Sequence, residues 1–183
     1  MSNPGNIKTQ NEINSNNLTS KIYEIEYENG LKYRGKLNEN DSNPIGIGKY
    51  EFPNGDIYIG EVGSRISGEL ICSDKTIYKG QFFNYEKSGL GEEKYPDGSV
   101  YSGMFKKNKK SGRGKIVFNN NDIYEGGFKN GVRWGIGTYS ISNGGVFVGD
   151  WKEDYLEGKG KWMVGNGSEI PGEFEKSLSL IHI

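Results

Sequence analysis

The chain has 183 residues, enough for one domain of ordinary size, and its formal net charge of −1 gives no global case for nucleic acid or a membrane surface. It holds 29 glycines and 12 tyrosines and is poor in leucine, alanine and methionine, which argues against a layered aliphatic core, and the glycines lack the triplet period of collagen. The single cysteine, Cys72, excludes an internal disulfide framework, no apolar run reaches membrane-spanning length, and Met1 to Ser20 lacks the apolar core of a secretory signal, so a cytoplasmic setting is expected.

Residues 1–20 are rich in Asn and Ser, with little to bury, and are expected to form a disordered leader. Lys21 to Glu28 alternates, with Tyr23, Ile25 and Tyr27 on one face of a strand that ends at the turn signal Asn29-Gly30. Residues 21–32 therefore read as a cap strand over the first edge of a repeat array. The first repeat opens at Tyr33-x-Gly35-x-Leu37 and returns through Gly46-x-Gly48-x-Tyr50 to Pro53-Asn54-Gly55. It carries extra residues from Asn38 to Pro44, and insertions in repeat arrays often lie on a binding face. The second, from Tyr58, is worn: Gly68-x-Leu70 replaces the glycine pair and three residues are missing.

Four regular repeats follow at a spacing of 23 residues. They read Tyr78-x-Gly80-x-Phe82 with Gly89-x-Gly91, and Tyr101-x-Gly103-x-Phe105 with Gly112-x-Gly114. Next come Tyr124-x-Gly126-x-Phe128 with Gly135-x-Gly137, and Phe147-x-Gly149-x-Trp151 with Gly158-x-Gly160. A partial seventh begins at Ile170, which sets the array at 21–175. The tail, 176–183, shares nothing with the repeat and resembles a non-native end to a gene model.

Side chains alternate along a strand, so Tyr101, Gly103 and Phe105 share one face while Ser102 and Met104 share the other. Each unit reads as a β-hairpin whose strands are joined by a polar loop such as Lys106–Ser111, and turns such as Pro96-Asp97-Gly98 lead to the next unit. Rings can lie flat over positions that have no Cβ, which explains a core of aromatics on glycine backbone. The expected fold is all-β: an elongated single antiparallel sheet of stacked hairpins, with an open final edge that invites homo-association or a further domain.

Lys106, Lys107, Lys109, Lys110, Arg113 and Lys115 make the fourth repeat basic, with no acid between Ser99 and Asn121. This cluster is the candidate site for anionic phospholipid or an acidic partner. The glycine pairs do not open helices and so do not read as phosphate loops, and rings needed in the stack leave no nucleic-acid platform. His182 is the only histidine, so neither a catalytic set nor a metal ligand set is expected, and the sequence implies no cofactor and no small-molecule substrate.

The pattern Tyr-x-Gly-x-Phe/Trp, a short loop, Gly-x-Gly-x-aromatic and a Pro-Asp-Gly-like turn resembles the MORN repeat family. The resemblance implies a non-catalytic scaffold that binds a protein partner, peripheral to a membrane or the cytoskeleton. An alternative it implies is the targeting module of a larger enzyme, a phosphoinositide kinase or a lysine methyltransferase. A partner helix lying in the groove of the sheet, with tyrosines as anchors, is the expected mode.

Overall fold

The computed structural model describes residues 4–13, 19–63, 65–164 and 168–177. Every element among them is a strand, and the strands build an open antiparallel sheet of consecutive hairpins in which strand order is sequence order. Two compact units divide the chain, Met1–Tyr85 and Glu86–Ile183. The first contains β1 (Pro4–Ile13), β2 (Thr19–Tyr27), β3 (Lys32–Leu37), β4 (Pro44–Glu51), β5 (Ile57–Glu61), β6 (Arg65–Ile71) and β7 (Ile77–Phe83). The second contains β8 (Glu86–Lys94), β9 (Val100–Lys106), β10 (Lys109–Val117), β11 (Ile123–Lys129), β12 (Val132–Ser140), β13 (Val146–Lys152), β14 (Tyr155–Met163) and β15 (Glu169–Ser177).

The leader differs from its expectation. Pro4–Ile13 forms β1 and pairs with β2 from Pro4↔Tyr27 to Ile13↔Thr19. A strand needs only backbone partners, and β2 offers a whole edge of them. An argument from burial alone overlooks that source of order. Of the expected tail, Lys176 and Ser177 extend β15, and 178–183 lie outside the described residues.

In the second unit the ring face is built as the alternation requires. Tyr101, Phe105, Tyr124, Phe128, Phe147 and Trp151 are buried, while Ser102 and Met104 on the back face are exposed. Tyr101 lies along its own strand. A Cβ built on Gly103 would stand 2.5 Å from its hydroxyl oxygen, and one on Gly114, across the hairpin, 2.5 Å from its ring. The hydroxyl of Tyr101 donates to the carbonyl of Met104 at 2.8 Å, three residues on. Tyr124 repeats this, with Gly126 and Gly137 beneath it and a bond to the Gly127 carbonyl at 2.9 Å. In the first unit Tyr33, Tyr58 and Tyr78 make the same bond to Lys36, Glu61 and Gln81. Each ring therefore satisfies its polar end on backbone while fully covered.

Neighbouring rings meet edge to face. Tyr101 touches Phe105 and, one repeat on, Phe128, with centroids 5.1 and 5.0 Å away. Tyr124 continues the chain to Phe128 and Trp151, and Phe147 to Trp151 and Phe174.

Two expectations about the hairpin are corrected. The segment Lys106–Ser111 is not a loop: β9 runs to Lys106, β10 starts at Lys109, and a two-residue turn joins them with Lys107 and Asn108 both at positive φ. That turn matches strand twist, which is why the hairpin closes so tightly. The glycines of the Gly-x-Gly pair also differ in role. Gly112, Gly135 and Gly158 have positive φ, +68°, +75° and +85°, and no ring lies within 4 Å of a Cβ built on them. They serve a left-handed backbone, and the register slips beside Gly112 and Gly158. Only the second glycine of each of these pairs lies under a ring.

Candidate functional site

One further position returns every 23 residues: Lys87, Lys110, Arg133 and Leu156, each two residues before the glycine pair. In the second unit these long side chains fold over the ring face. The Lys110 ammonium stands 4.8 Å from the centroid of Tyr95 and 5.3 Å from that of Tyr101. Burial lowers its pKa, against the opposing pull of Glu93 and Asp154. The Arg133 guanidinium lies 4.2 Å from the Trp151 centroid and 5.6 Å from that of Tyr124. Lys87 pairs with the buried carboxylate of Glu93, which also accepts the Tyr95 hydroxyl. Leu156 is 1% exposed. Cation–π contact and buried stems thus cover the rings.

The first unit lacks this cover. Counting two residues back from Gly46, as for the later pairs, gives Pro44, which has no stem to lay across a ring. Over the ring face of this unit lies a groove of about 1060 Å³. Its wall is mostly apolar, with Ile25, Tyr50, Phe52, Tyr58, Ile66 and Leu70 prominent. Tyr50 is half-buried among rings, 4.8 Å from Tyr33 and 6.4 Å from Tyr58 by centroid. Burial, and then the neighbouring Tyr33, Tyr27, Tyr85 and Tyr58, raises its phenol pKa, and burial pushes Tyr58 up to about 12. At the mouth, Phe52 is 39% and Tyr85 80% exposed. The insertion singled out in the sequence also contributes, since Asp41, Ser42, Asn43 and Pro44 line one side.

Of the tyrosines that open the repeats, Tyr58 lines the groove. Tyr101 and Tyr124 are wholly buried, each covering glycine and bonding backbone, and Tyr78 is wholly buried with its hydroxyl on the Gln81 carbonyl. The groove rings Tyr50, Phe52 and Tyr85 lie outside the Tyr-x-Gly motif. The sequence did not single out this position, because three of its residues read as ordinary surface cations and Leu156 breaks the series.

The basic cluster is divided by the fold. Lys106, Lys107, Lys109, Arg113 and Lys115 are exposed, and among the described residues none forms an ion pair. Lys110 points the other way, onto rings, and leaves the group. Among the described residues no cluster of His, Cys, Asp or Glu could hold a metal ion, and no helix is long and apolar enough to cross a membrane.

No curated protein matches the chain. Among the solved structures that match, two are 13% identical to this chain. One is a point mutant of the TCP10 domain of Danio rerio CPAP, with a TM-score of 0.34 over 93% of this chain and 100% of that one. The other is the wild-type TCP10 domain in complex with a peptide of Danio rerio STIL, with a TM-score of 0.21 over 91% and 100%. Neither superposition is close enough to bear on function. The MORN repeat family model matches residues 46–57, 78–100, 101–123, 124–146 and 147–169. Four of the five matches begin on the first aromatic of a regular repeat, at Tyr78, Tyr101, Tyr124 and Phe147, and together the matches span more than half of the sequence: this chain belongs to the MORN repeat family.

Proposed function

We propose that this chain is a non-catalytic scaffold that takes a segment of a partner protein into the groove of the first unit, in the cytoplasm and peripheral to a membrane or the cytoskeleton. The observation that carries the reading is the uncovered ring face. The later repeats close that face with their own side chains, and the first leaves Tyr50, Phe52 and Leu70 lining about 1060 Å³. An apolar wall of that size suits a helix that lays one face into a groove. A photo-crosslinking residue placed at Phe52 tests it in cells, with the same residue at Ser102, on the back face of the second unit, as control. Adducts with one protein at Phe52 and none at Ser102 are expected. Equal labelling at both positions, or none at Phe52, would reject the reading.

A second reading has its own observation, the five exposed and unpaired cations Lys106, Lys107, Lys109, Arg113 and Lys115. Such charges contribute about 1 kcal/mol each beside an anionic leaflet. Sedimentation with phosphatidylserine vesicles should then need the anionic lipid and weaken with salt. Undiminished sedimentation after charge reversal at Lys106, Lys107 and Lys109 would refute it.

A further inference from the structure

The two units differ at one corresponding place. In the second, Arg133 lies over Tyr124, Tyr139 and Trp151, and its charge is met by Asp154 at 3.0 Å. In the first, the corresponding position is Pro44, and Tyr33 and Tyr50 correspond to Tyr124 and Tyr139, each cross-strand pair sharing one face. The groove above them is lined by the acids Asp41 and Asp56 and by no lysine or arginine, whereas Glu61 borders it with its backbone and turns its carboxylate to the back face beside Ser67. Among the described residues, neither of the two is in an ion pair. Asp41 accepts from the Asn43 amide, and Asp56 from the Asn54 side chain and the Ser73 amide. Rings and acids are in place, and the cation between them is missing.

We infer that the partner segment supplies this cation: an arginine or lysine, flanked by apolar residues, whose stem lies on Tyr50 and whose charge is taken by the rim carboxylates. The partner would complete from outside the cover that Arg133 gives the second unit from within. The inference rests on the groove reading above and adds its charge. An acidic segment would bring like charge against the two carboxylates, and a purely apolar one would leave the rim acids facing its backbone and flanks. Arginine is the stronger candidate, because its planar group stacks on rings and takes a carboxylate with two donors at once.

The test pans a displayed library of helical peptides against the whole chain and then titrates an enriched peptide calorimetrically beside a copy with citrulline for arginine. Citrulline keeps the shape and removes the charge. The expected outcome is enrichment of peptides with Arg or Lys among apolar residues. Citrulline should weaken binding at least tenfold, and the difference should shrink when Asp41→Asn and Asp56→Asn are combined. Pro44→Arg, which brings the lid back from within, should weaken the arginine peptide by a similar factor. Enrichment of neutral or acidic peptides, or equal binding of the citrulline copy, would overturn the inference and leave the groove reading standing. No enrichment at all, or enriched peptides indifferent to Pro44→Arg and to Tyr50→Ala alike, would bring down both.

Discussion

Arg133 and Asp154 hold each other through backbone and side chain at once. The Arg133 amide and its Nε both donate to Asp154 Oδ1, at 2.9 and 3.0 Å, and Nη2 donates to the Asp154 carbonyl at 2.8 Å. The Asp154 amide returns a longer bond to the Arg133 carbonyl at 3.3 Å. The side chain of Arg133 is 19% exposed and that of Asp154 45%, so solvent weakens the ionic part while the stem and ring contacts persist. Arg133→Ala should destabilise the protein by about 2–3 kcal/mol, mostly through lost ring cover and hydrogen bonds. Arg133→Lys should recover only part of that loss. Urea denaturation of the single and double variants with Asp154→Ala measures the coupling, expected at about 1 kcal/mol.

The tyrosine hydroxyls predict a graded series. Tyr124→Phe removes one bond to the Gly127 carbonyl and should cost about 1 kcal/mol, whereas Tyr124→Ala also removes a fully buried ring and should cost about 3–5 kcal/mol. The sixth repeat offers the reverse experiment. Phe147 lies over Gly149 and Gly160 as the tyrosines lie over theirs, but it has no hydroxyl. Phe147→Tyr should bring an O–H to the carbonyl of Asp150 and stabilise by about 0.5–1 kcal/mol, read as a higher urea midpoint with an unchanged slope.

The paired glycines should respond to alanine for different reasons. At Gly114 the new methyl would stand 2.5 Å from the Tyr101 ring, which must move out of its contact with Phe128. A cost of about 3 kcal/mol or more and a changed near-ultraviolet tyrosine signal are expected. At Gly135 there is open space but φ is +75°, so Gly135→Ala should cost about 1–2 kcal/mol and leave the tyrosine signal as it was. Equal losses with equal spectra would contradict the division of roles.

Asp122 predicts an acid limb. Burial works against its charge, but bonds from the Ser142 amide, the Tyr139 hydroxyl and Asn120 prevail, and its carboxyl is held below the ordinary value of 3.8. A carboxyl whose folded pKa is depressed stabilises fully above its unfolded value, and the stabilisation is lost as pH falls through the folded one. Stability should therefore decline below about pH 4.5. Asp122→Asn should lower stability at pH 7 and flatten that decline, as thermal melts between pH 7 and pH 2.5 would record. An unchanged acid slope in the variant would assign the decline to other carboxylates.

The architecture was legible because its cause is local. A residue's face follows from counting by two, so Tyr101-x-Gly103-x-Phe105 already places ring, gap and ring together, and a spacing of 23 residues aligns one hairpin with the next. What escaped was conformation and cover. Gly112 and Gly114 are the same letter, and only φ separates a turned backbone from a bed for a ring. Lys110 looked like one of six free cations because a charge count cannot say which way a side chain points from its strand. The groove was harder still, since it arises where Pro44 withholds what Arg133 supplies. The Asn38–Pro44 insertion was the one sequence signal that pointed to it.

Among the described residues of the second unit each strand bonds only to its neighbours in sequence, and no strand pairing there spans more than adjoining hairpins. Drawn from its ends, such a chain unzips rather than shears. Each regular repeat that lets go frees 23 residues, on the order of 80 Å of extended chain, while the hairpins behind it keep their rings in place. A stack of this kind would yield to tension in steps, one hairpin at a time.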